Sequence, residues 1–301
     1  MQHSGALILD KPQGFTSFDA VAVMRRLLNE RKIGHTGTLD PMATGVLVIL
    51  VGRATKAASF LENTGKTYEA GFRFGAETDT QDSTGAVLRT DDNAVSREAL
   101  EAVLPKFRGE IWQMPPMYSA VSVNGQRLYT LARQGVTVAR EKRPVTIDRL
   151  EVCTYDPEKR EGILRVSCSK GTYIRTLCAD IGEALGTYGM MTALRRVEAC
   201  GFSLSSALTL DDARALSESG CLAERILPTA SLFSMNRDVS VSAAQATRFR
   251  NGGALDLQRI PALRTRWVPG ERIRVYAPDG EFLGLGECGA EPPQLRVLKL
   301  F

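Results

Sequence analysis

The stretch GHTGTLDPMATGVLVILV, residues 34–51, joins a segment rich in glycine and threonine to an unbroken aliphatic run. Residues 46–51 are all aliphatic, and a short run of this kind indicates a strand that is buried on both faces. Residues 34–45 (GHTGTLDPMATG) contain three glycines and a proline, which predicts a loop. The sequence therefore predicts a polar loop that leads into a strand inside a sheet.

The chain before this stretch shows a strand pattern and then a helix pattern. Residues 5–10 (GALILD) form an apolar strand candidate that runs into a Lys11-Pro12-Gln13-Gly14 turn. Thr16 and Asp19 have the spacing of a capping box, so an amphipathic helix is expected to follow. The side chains expected to face the core are Phe18, Val21, Met24 and Leu28.

Two later segments decide the fold class. Residues 67–74 alternate, with aromatic or small residues on one face and polar residues on the other, as in a half-buried antiparallel strand. Residues 163–168 form a second strand candidate, and a helix with an apolar stripe is expected after residues 169–172. No regular βαβ rhythm is present, so we predict an α+β fold with a mixed, mainly antiparallel central sheet flanked by helices.

The C-terminal part predicts a small β unit. Residues 242–250 predict a short helix that ends at Asn251-Gly252-Gly253. Three strand-like runs follow at 273–276, 282–287 and 295–301, and the Pro278-Asp279-Gly280 turn joins the first two. This pattern fits a small β-barrel or sandwich. We therefore divide the chain into residues 1–230 and residues 231–301.

Composition narrows the class of protein. The chain is 44% hydrophobic and 24% charged, as is ordinary for a globular protein, and its net charge of +4 suits an anionic partner without establishing one. No apolar run is long enough for a membrane helix, and the N-terminus lacks the pattern of a signal peptide. Six scattered cysteines without a CxxC pair and only two histidines indicate reduced thiols in the cytoplasm and no metal site.

A basic segment interrupts this ordinary composition at residues 121–149. It has six arginines or lysines against two acids, a net charge of +4: Arg127, Arg133, Arg140, Lys142, Arg143, Arg149, Glu141 and Asp148. One interpretation is a solvated surface excursion, as most charge runs are. The other is an arm that follows a phosphate backbone. Charge alone leaves both open.

Asp40 is the first candidate for chemistry. It precedes a proline, and an acid in that place often caps a turn or a helix. It also lies among glycines at 34, 37 and 45, where the backbone can approach a ligand closely. His35 lies in the same predicted loop, but its spacing from Asp40 fits no metal site. A structural role and a catalytic role both remain for this carboxylate.

Arg175 is the expected partner of Asp40. It follows Gly171-Thr172-Tyr173 at a strand-to-helix junction, and its guanidinium would keep a nearby carboxylate ionised; the alternative is an exposed arginine in a first helical turn. Asp79 and Asp82 lie in a loop that lacks the ligand pattern of a calcium site, and they could pair with Arg175 or cap a turn. Tyr68 could pack in the core or stack on a base.

Taken in order along the chain, these motifs resemble the TruB family of tRNA pseudouridine-55 synthases. The likeness covers residues from about 5 to 230, and the C-terminal part is similar to the PUA-type RNA-binding domain of that family. The motifs are Asp10-Lys11-Pro12-x-Gly14, Gly34-His35-Thr36-Gly37-Thr38-Leu39-Asp40-Pro41, Ala43-Thr44-Gly45, Lys66-x-Tyr68, Gly75-x-x-Thr78-Asp79-Thr80-x-Asp82, Ser169-Lys170-Gly171-Thr172-Tyr173-Ile174-Arg175 and Leu194-Arg195-Arg196. Residues 115–120, Arg133-Gln134-Gly135 and Arg143-Pro144-Val145 resemble an RNA-gripping insertion, which we place at about 118–149.

The resemblance implies an enzyme that flips a uridine of the tRNA T-arm into a pocket and rejoins its base through C5, without a metal or other cofactor. It implies that Asp40 is the catalytic carboxylate, that Arg175 positions it and that Tyr68 stacks on the uracil. We add Asp82 as the second acid of the pair. Further expected roles are lining of the pocket by Tyr173, Leu194, Lys11 and Pro12, filling of the vacated space by His35, and RNA binding by Arg140, Lys142 and Arg143. No obligate protein partner is expected, and the protein should be a monomer.

Two other functions compete with this one. A non-catalytic tRNA-binding or tRNA-folding protein could share the same fold, and a folding role could coexist with catalysis. A glycosidase would need two acids, one of them a proton donor, and neither Asp79 nor Asp82 lies in a sugar-enzyme motif. An activity assay on unmodified tRNA separates the first alternative from an enzyme.

Overall fold

The strands form two main sheets in a computed structural model that describes residues 4–61, 64–123 and 125–301. In chain order the strands are β1 (Gly5–Lys11), β2 (Ile33–Thr36), β3 (Thr44–Val51), β4 (Lys66–Phe74), β5 (Ala76–Thr78), β6 (Val87–Thr90), β7 (Gly109–Gln113), β8 (Ser122–Val123), β9 (Gln126–Arg127), β10 (Arg143–Asp156), β11 (Glu161–Cys168), β12 (Gly189–Ala199), β13 (Phe202–Ser203), β14 (Leu227–Pro228), β15 (Asp238–Ser240), β16 (Leu255–Asp256), β17 (Arg272–Tyr276), β18 (Phe282–Gly289) and β19 (Gln294–Leu300). The helices are α1 (Ser17–Leu27), α2 (Ala58–Leu61), α3 (Arg97–Val103), α4 (Leu128–Arg133), α5 (Ile174–Ala184), α6 (Leu210–Glu218) and α7 (Ala243–Arg250). Within the described ranges, every helix is too short or too polar to span a membrane.

The larger sheet has the order β14-β1-β3-β12-β4-β11-β10-β7, with β2 added beside β3 and β13 beside β12. Among its described pairs, β3 and β12 run parallel and the others run antiparallel. The predicted α+β class, with a mixed and mainly antiparallel sheet, is confirmed. Because β12 lies between β3 and β4, it brings together parts of the chain that are far apart in sequence.

Strand β3 is buried on both faces, as its aliphatic run predicts. One face contributes Leu47, Ile49 and Val51 to the main core, and the other contributes Val46, Val48 and Leu50 to a second core. The second core also contains Phe233 and Leu285, so it joins the large sheet to the C-terminal sheet. A strand that packs on both sides has no face for polar residues, which is why the run does not alternate.

The loop predicted for residues 34–45 begins later in the structure. Residues 34–36 belong to β2, which pairs antiparallel with β3 and places His35 opposite Ile49. The predicted start of the loop was wrong because Gly34, His35 and Thr36 have no strand periodicity of their own; their strand geometry comes from pairing with β3. His35 is therefore held by a sheet, whereas Asp40 lies in the remaining loop, residues 37–43.

Helix α1 has the predicted capping box, and its predicted inward face is correct at Val21, Met24 and Leu28 but not at Phe18. The Thr16 hydroxyl accepts from the Asp19 N–H, and the Asp19 carboxylate accepts from the Thr16 N–H. Phe18 is 71% exposed, so its predicted burial was wrong. Ser17 takes the buried position at the start of the helix because its hydroxyl bonds to the backbone of Leu39. One residue later the helix has turned by about 100°, and Phe18 faces outward.

The C-terminal strands form a five-stranded sheet of order β15-β17-β18-β19-β16. The three predicted runs correspond to β17, β18 and β19, and the helix expected at 242–250 is α7, with Ser242 as its N-cap. The short edge strands β15 and β16 were not predicted, since two or three residues are too few to show alternation. The sheet has its own core around Phe249 and packs against the large sheet through Phe282 and Phe301, which contact Phe233.

The two faces of α1 give a matched stability test. Met24 is fully buried, so Met24→Ala should lower the free energy of unfolding by about 2–5 kcal/mol. Phe18→Ala on the same helix should change it by less than about 1 kcal/mol, because little surface is lost. Denaturant unfolding followed by circular dichroism measures both. A Phe18→Ala variant as unstable as Met24→Ala would contradict the exposed position of Phe18.

Candidate active site

Asp40 lies in the loop between β2 and β3, and contacts on both sides fix its backbone. The Leu39 N–H donates to Ser17 Oγ at 2.9 Å, and that hydroxyl lies 3.2 Å from the Leu39 carbonyl. On the other side, the Gly14 N–H donates to the Pro41 carbonyl at 2.8 Å. Helix α1 and the preceding turn therefore hold the loop, while the Asp40 side chain stays 47% exposed and open to a ligand.

Arg175 lies in the first turn of α5 and connects Asp40 to Asp82. Its Nη2 is 3.2 Å from Asp40 Oδ2, and its Nη1 is 3.5 Å from Asp82 Oδ2. Nη2 also donates to the Tyr118 carbonyl at 2.8 Å. Arg175 is only 8% exposed, unlike an ordinary arginine in a first helical turn. A permanently protonated guanidinium thus holds the exposed carboxylate of Asp40 and the buried one of Asp82.

Asp82 is held in its loop by hydrogen bonds from neighbouring residues. Its Oδ1 accepts from the Thr84 N–H at 3.0 Å and from the hydroxyls of Thr80 at 2.8 Å and Thr84 at 2.5 Å. The neighbouring Ser83 N–H donates to the Met191 carbonyl at 2.9 Å, which attaches this loop to β12. Asp82 is 4% exposed. It therefore faces Arg175 from a fixed position.

Asp79, the other acid of this loop, has other partners than Arg175 among the described residues. Its carboxylate accepts from the Ala86 N–H at 2.8 Å and from the Tyr118 hydroxyl at 3.4 Å. Of the two loop acids, Asp82, the one selected from the sequence, is thus the one that lies within ion-pair distance of Arg175. Asp82 belongs to the guanidinium network, and Asp79 closes the turn.

Tyr68 and Leu194 lie on adjacent strands beside this network. Tyr68 on β4 pairs with Arg196 on β12, and Leu194 on β12 pairs with Ala70 on β4. Tyr68 is 8% exposed, and burial raises the pKa of its phenol, so the hydroxyl is protonated at neutral pH. Asp40 lies near enough for its charge to raise the pKa of this phenol further. Tyr68 thus lies within electrostatic reach of the Asp40 carboxylate, and Leu194 lies on the strand next to it.

Tyr173 lies at the N-cap of α5, two residues before Arg175. Its N–H donates to Gln113 Oε1 at 3.0 Å, and the Gln113 amide lies 3.3 Å from its carbonyl. Gln113 is buried on β7. This pair of bonds attaches the start of α5 to the far edge of the sheet and fixes the turn from which Arg175 projects.

Arg196 is a site residue that the sequence analysis did not select. It is fully buried, its Nε donates to the Val46 carbonyl at 2.7 Å, and its Nη2 donates to the Gly37 carbonyl at 2.9 Å. Its positive charge counters the rise in the pKa of Tyr68. The Leu194-Arg195-Arg196 motif was noted, but its two arginines cannot be told apart without knowing which one faces inward. Arg195 instead pairs with Asp10 at 2.7 Å.

Glycine at position 45 is required by this packing. The φ of Gly45 is +104°, and a Cβ there would lie 2.2 Å from the Arg196 carbonyl. The parallel pairing of β3 and β12 places these two residues opposite each other. The glycine therefore lets the strand that follows the Asp40 loop approach β12.

His35 is half-buried at the edge of the site. Burial and the charge of Arg196 lower the pKa of its imidazole, so the ring is neutral at pH 7. The ring contacts exposed Phe18 edge to face, with centroids 5.4 Å apart. An aromatic pair thus borders the Asp40 loop on its outer side.

Lys11 is fully buried, and its Nζ donates to the carbonyls of Pro12 at 2.9 Å and Phe15 at 2.6 Å. Burial lowers the pKa of this lysine, and the charge of Asp40 partly offsets the change. Lys11 therefore fixes the turn between β1 and α1, beside the backbone that holds Asp40. Pro12 lies half-buried in the same turn.

The basic segment contains β8, β9, α4 and the start of β10, and most of its charges face solvent. Lys142 and Arg143 are exposed, whereas Arg140 is half-buried and its Nη1 donates to the Pro115 carbonyl at 3.0 Å. Arg133 lies over the ring of Tyr129, with 5.7 Å between the guanidinium carbon and the ring centre. Arg140 therefore ties the segment to the chain near Tyr118, and the exposed cations remain available to an anionic partner.

Two family models match most of the chain. The model described as TruB family pseudouridylate synthase (N terminal domain) matches residues 25–174, and the model described as tRNA pseudouridylate synthase B C-terminal domain matches residues 175–234. The tRNA pseudouridine synthase B of Dechloromonas aromatica is 44% identical over 288 residues, which is 96% of this chain and 92% of that protein. The same-named protein of Burkholderia mallei is 45% identical over 284 residues, covering 94% of this chain and 93% of the relative.

Solved structures share the fold over the full length. The crystal structure of a Cbf5-Nop10-Gar1 complex matches with a TM-score of 0.76 and 26% identity, covering 100% of this chain and 84% of that chain. The structure of an H/ACA RNP bound to a substrate RNA containing 2′-deoxyuridine matches in fold with a TM-score of 0.75 and 24% identity, covering 99% of this chain and 84% of that chain. The extent and identity of the sequence matches, on a fold that positions the motif residues around Asp40, show that this chain belongs to the TruB family of pseudouridylate synthases.

Proposed function

We propose that this protein isomerises uridine to pseudouridine at position 55 in the T-loop of tRNA. The observation that carries this proposal is the Asp40 carboxylate, exposed to a ligand yet held 3.2 Å from the buried Arg175 guanidinium. The relatives named tRNA pseudouridine synthase B support tRNA as the substrate. The reaction breaks the N1–C1′ bond and joins C5 to C1′, and it requires no net redox change or hydrolysis.

Asp40 is the proposed catalytic carboxylate. Arg175 holds and orients it, which a carboxylate needs for attack or for stabilising positive charge. Asp82 also pairs with Arg175. This second ion pair restrains the guanidinium, so it does not move with the Asp40 side chain. We propose that this second contact keeps Asp40 in place while the base separates from the sugar and turns.

Tyr68 and Leu194 are proposed to hold the detached uracil. An aromatic ring can stack on a flipped base, and an apolar side chain can cover its other face. The raised pKa of Tyr68 keeps its hydroxyl protonated, so the phenol can donate a hydrogen bond to the base at neutral pH. Tyr173, Lys11 and Pro12 are proposed to shape the surrounding walls.

His35 is proposed to fill the space that the target base leaves in the RNA stack. Its ring is neutral at pH 7 and lies at the rim of the site, beside Phe18. Uracil must leave its stack before Asp40 can reach the sugar, so a group that replaces its stacking would lower the cost of flipping.

RNA binding is proposed for two further parts of the chain. Arg140, Lys142 and Arg143 belong to the basic insertion at about 118–149, and residues 231–301 form the small β unit that we assign as a PUA-like RNA-binding domain. Residues 1–230 then carry the catalytic site. We further propose that the protein acts as a monomer in the cytoplasm, without an obligate protein partner.

Replacing Asp40 tests the proposed function directly. Asp40→Asn should retain tRNA binding and lower the turnover rate by at least about 10²-fold, because a neutral amide cannot replace the carboxylate. Tritium release from tRNA labelled at C5 of uridine measures turnover, and filter binding measures affinity. Multiple turnovers by this variant would refute the role of Asp40, and a wild-type protein that forms no pseudouridine in unmodified tRNA would favour a binding or folding function.

Replacing Asp82 tests the charge network behind Asp40. Asp82→Asn should lower single-turnover rate by about 10²-fold with little change in affinity, because a displaced guanidinium misplaces Asp40. Asp79→Asn is the matched control in the same loop, since its Oδ1 can still accept from the Ala86 N–H. Equal effects of the two variants would indicate a general disturbance of the loop.

Neutralising the basic segment should flatten the salt dependence of tRNA binding. Lys142→Gln with Arg143→Gln should reduce the slope of log affinity against log salt by about 1–2, as expected when one or two phosphate contacts are lost. Both side chains are exposed, so folding should be unaffected. A slope equal to that of the wild type, measured by filter binding across a salt series, would place the phosphate contacts elsewhere.

A further inference from the structure

A cavity of about 320 Å³ lies beside Tyr68, and Gly37 and Thr38 of the Asp40 loop form part of its wall. Its cationic lining residues are Lys66, Lys170 and Arg196, and the rest of the wall combines threonine and serine residues with His35, Ala58, Leu61 and Cys200. Neither Asp40 nor Arg175 is among its lining residues. The cavity therefore adjoins the Asp40 loop, and Tyr68 borders it, but the Asp40 carboxylate is not part of its wall.

Arg196 leaves one donor group unused in this cavity. Its Nε and Nη2 bond to backbone carbonyls, but its Nη1 is buried without a hydrogen-bond partner in the described structure. A buried guanidinium nitrogen without a partner is costly, since it has given up water and gained nothing in exchange. Because Arg196 is fully buried in the cavity wall beside Tyr68, it contributes positive charge to the cavity rather than an accessible donor.

Lys66 is a second cation beside the cavity, and few polar groups stabilise its charge. It is half-buried, and its one hydrogen bond in the described structure is to the Thr64 carbonyl at 3.3 Å. Burial and the nearby charge of Arg196 lower the pKa of its ammonium group. Among the described residues, no carboxylate forms an ion pair with Lys66 or Arg196, and no acid lines the cavity. Two like charges are thus held together where an anion would stabilise both.

Gly37 keeps the space between these two cations open. A Cβ at this position would lie 3.1 Å from Lys66 Cε and 3.3 Å from Arg196 Nη1. Its φ of +65° also lies in the region that favours glycine. A side chain at the start of the Asp40 loop would therefore crowd the charged ends of both Lys66 and Arg196 at the cavity wall.

We propose that this cavity binds the phosphodiester that adjoins the flipped uridine in the RNA. This inference rests on the proposed function, because an RNA whose target base lies against Tyr68 carries one anion on each side of that nucleotide. Lys66 would bind a phosphate oxygen, the buried positive charge of Arg196 would stabilise the anion without direct contact, and Lys170, exposed at the mouth of the cavity, would meet the RNA chain as it enters. The site would thus fix the backbone beside the base that Asp40 acts on.

The test uses T-arm RNAs in which one phosphate is replaced by an uncharged methylphosphonate, either 5′ or 3′ of the target uridine. The sugar on the 5′ side of the altered linkage is 2′-O-methylated for stability, and the reference RNA has that methyl group with an ordinary phosphate. Each RNA is bound to the wild type, to Lys66→Gln and to Lys106→Gln. Lys106 is the control because it is exposed and does not line the cavity.

At one of the two positions, the neutral linkage should weaken wild-type binding by about 10-fold, the size of one charge-assisted contact. With Lys66→Gln, whose phosphate contact is already absent, the neutral linkage should weaken binding by less than about 2-fold relative to the reference RNA. With Lys106→Gln, it should weaken binding by the full 10-fold. Such non-additivity identifies the pair in contact. Additive losses at both positions, or no loss at either, would overturn the proposal.

Two further measurements keep the outcome clear. Melting temperature reports whether Lys66→Gln is folded, and Lys170→Gln, at an exposed position, repeats the comparison if it is not. If the effects of the neutral linkage are additive with both Lys66→Gln and Lys170→Gln, the proposal is also overturned. Pseudouridine formation is measured separately with unmodified RNA and wild-type protein. Its failure would reject the proposed function, whereas the binding comparison does not depend on turnover and tests the phosphate site alone.

Discussion

The arrangement of the site depends on the contact of Arg175 with two carboxylates in different environments. Asp82 is almost fully buried and accepts three further hydrogen bonds, so its position is fixed by its own loop. Asp40 is half-exposed on a loop between two strands. Because Asp82 holds the Arg175 guanidinium in place, the guanidinium in turn fixes the position of the exposed Asp40 carboxylate. Burying the Arg175–Asp82 pair costs free energy, and the result is a defined orientation of Asp40.

The loop of Asp40 is short because the sheet holds both of its ends. β2 and β3 pair with each other, and the first helix and its preceding turn bond to the loop backbone. Few degrees of freedom remain for the residues between Gly37 and Ala43. A carboxylate on such a loop can remain open to a substrate and still occupy a defined position, which a long mobile loop would not allow.

Positive charge concentrates behind this loop. Lys11 and Arg196 are fully buried and bond mainly to backbone carbonyls, and Lys66 is half-buried beside Arg196. Carbonyl oxygens satisfy hydrogen bonds but do not cancel charge. The interior on this side is therefore electropositive before any substrate arrives, which favours a polyanion and lowers the cost of placing the Asp40 carboxylate near the core.

The sequence by itself determined most of the elements and the chemical groups. The aliphatic run of β3, the alternation of β4, the capping box of α1 and the C-terminal strands are local patterns, and each can be identified without knowing its neighbours. The motifs around Asp40, Tyr68 and Arg175 likewise pointed to one family. Where the sequence-based prediction was wrong, at His35 and Phe18, the outcome depended on a partner elsewhere in the chain: β3 for His35, and the Leu39 backbone that draws Ser17 inward for Phe18.

Only the tertiary structure decided which of two adjacent arginines faces the interior. Arg195 and Arg196 occupy opposite sides of β12: Arg196 bonds to the backbone of the Asp40 loop, and Arg195 pairs with Asp10. Adjacent residues on a strand point to opposite faces, and a single turn reverses the direction of a side chain. The choice is therefore set by the register of β12 against β3 and β4, which joins segments more than a hundred residues apart. Local sequence carries no information about that register, because it results from packing of the whole sheet.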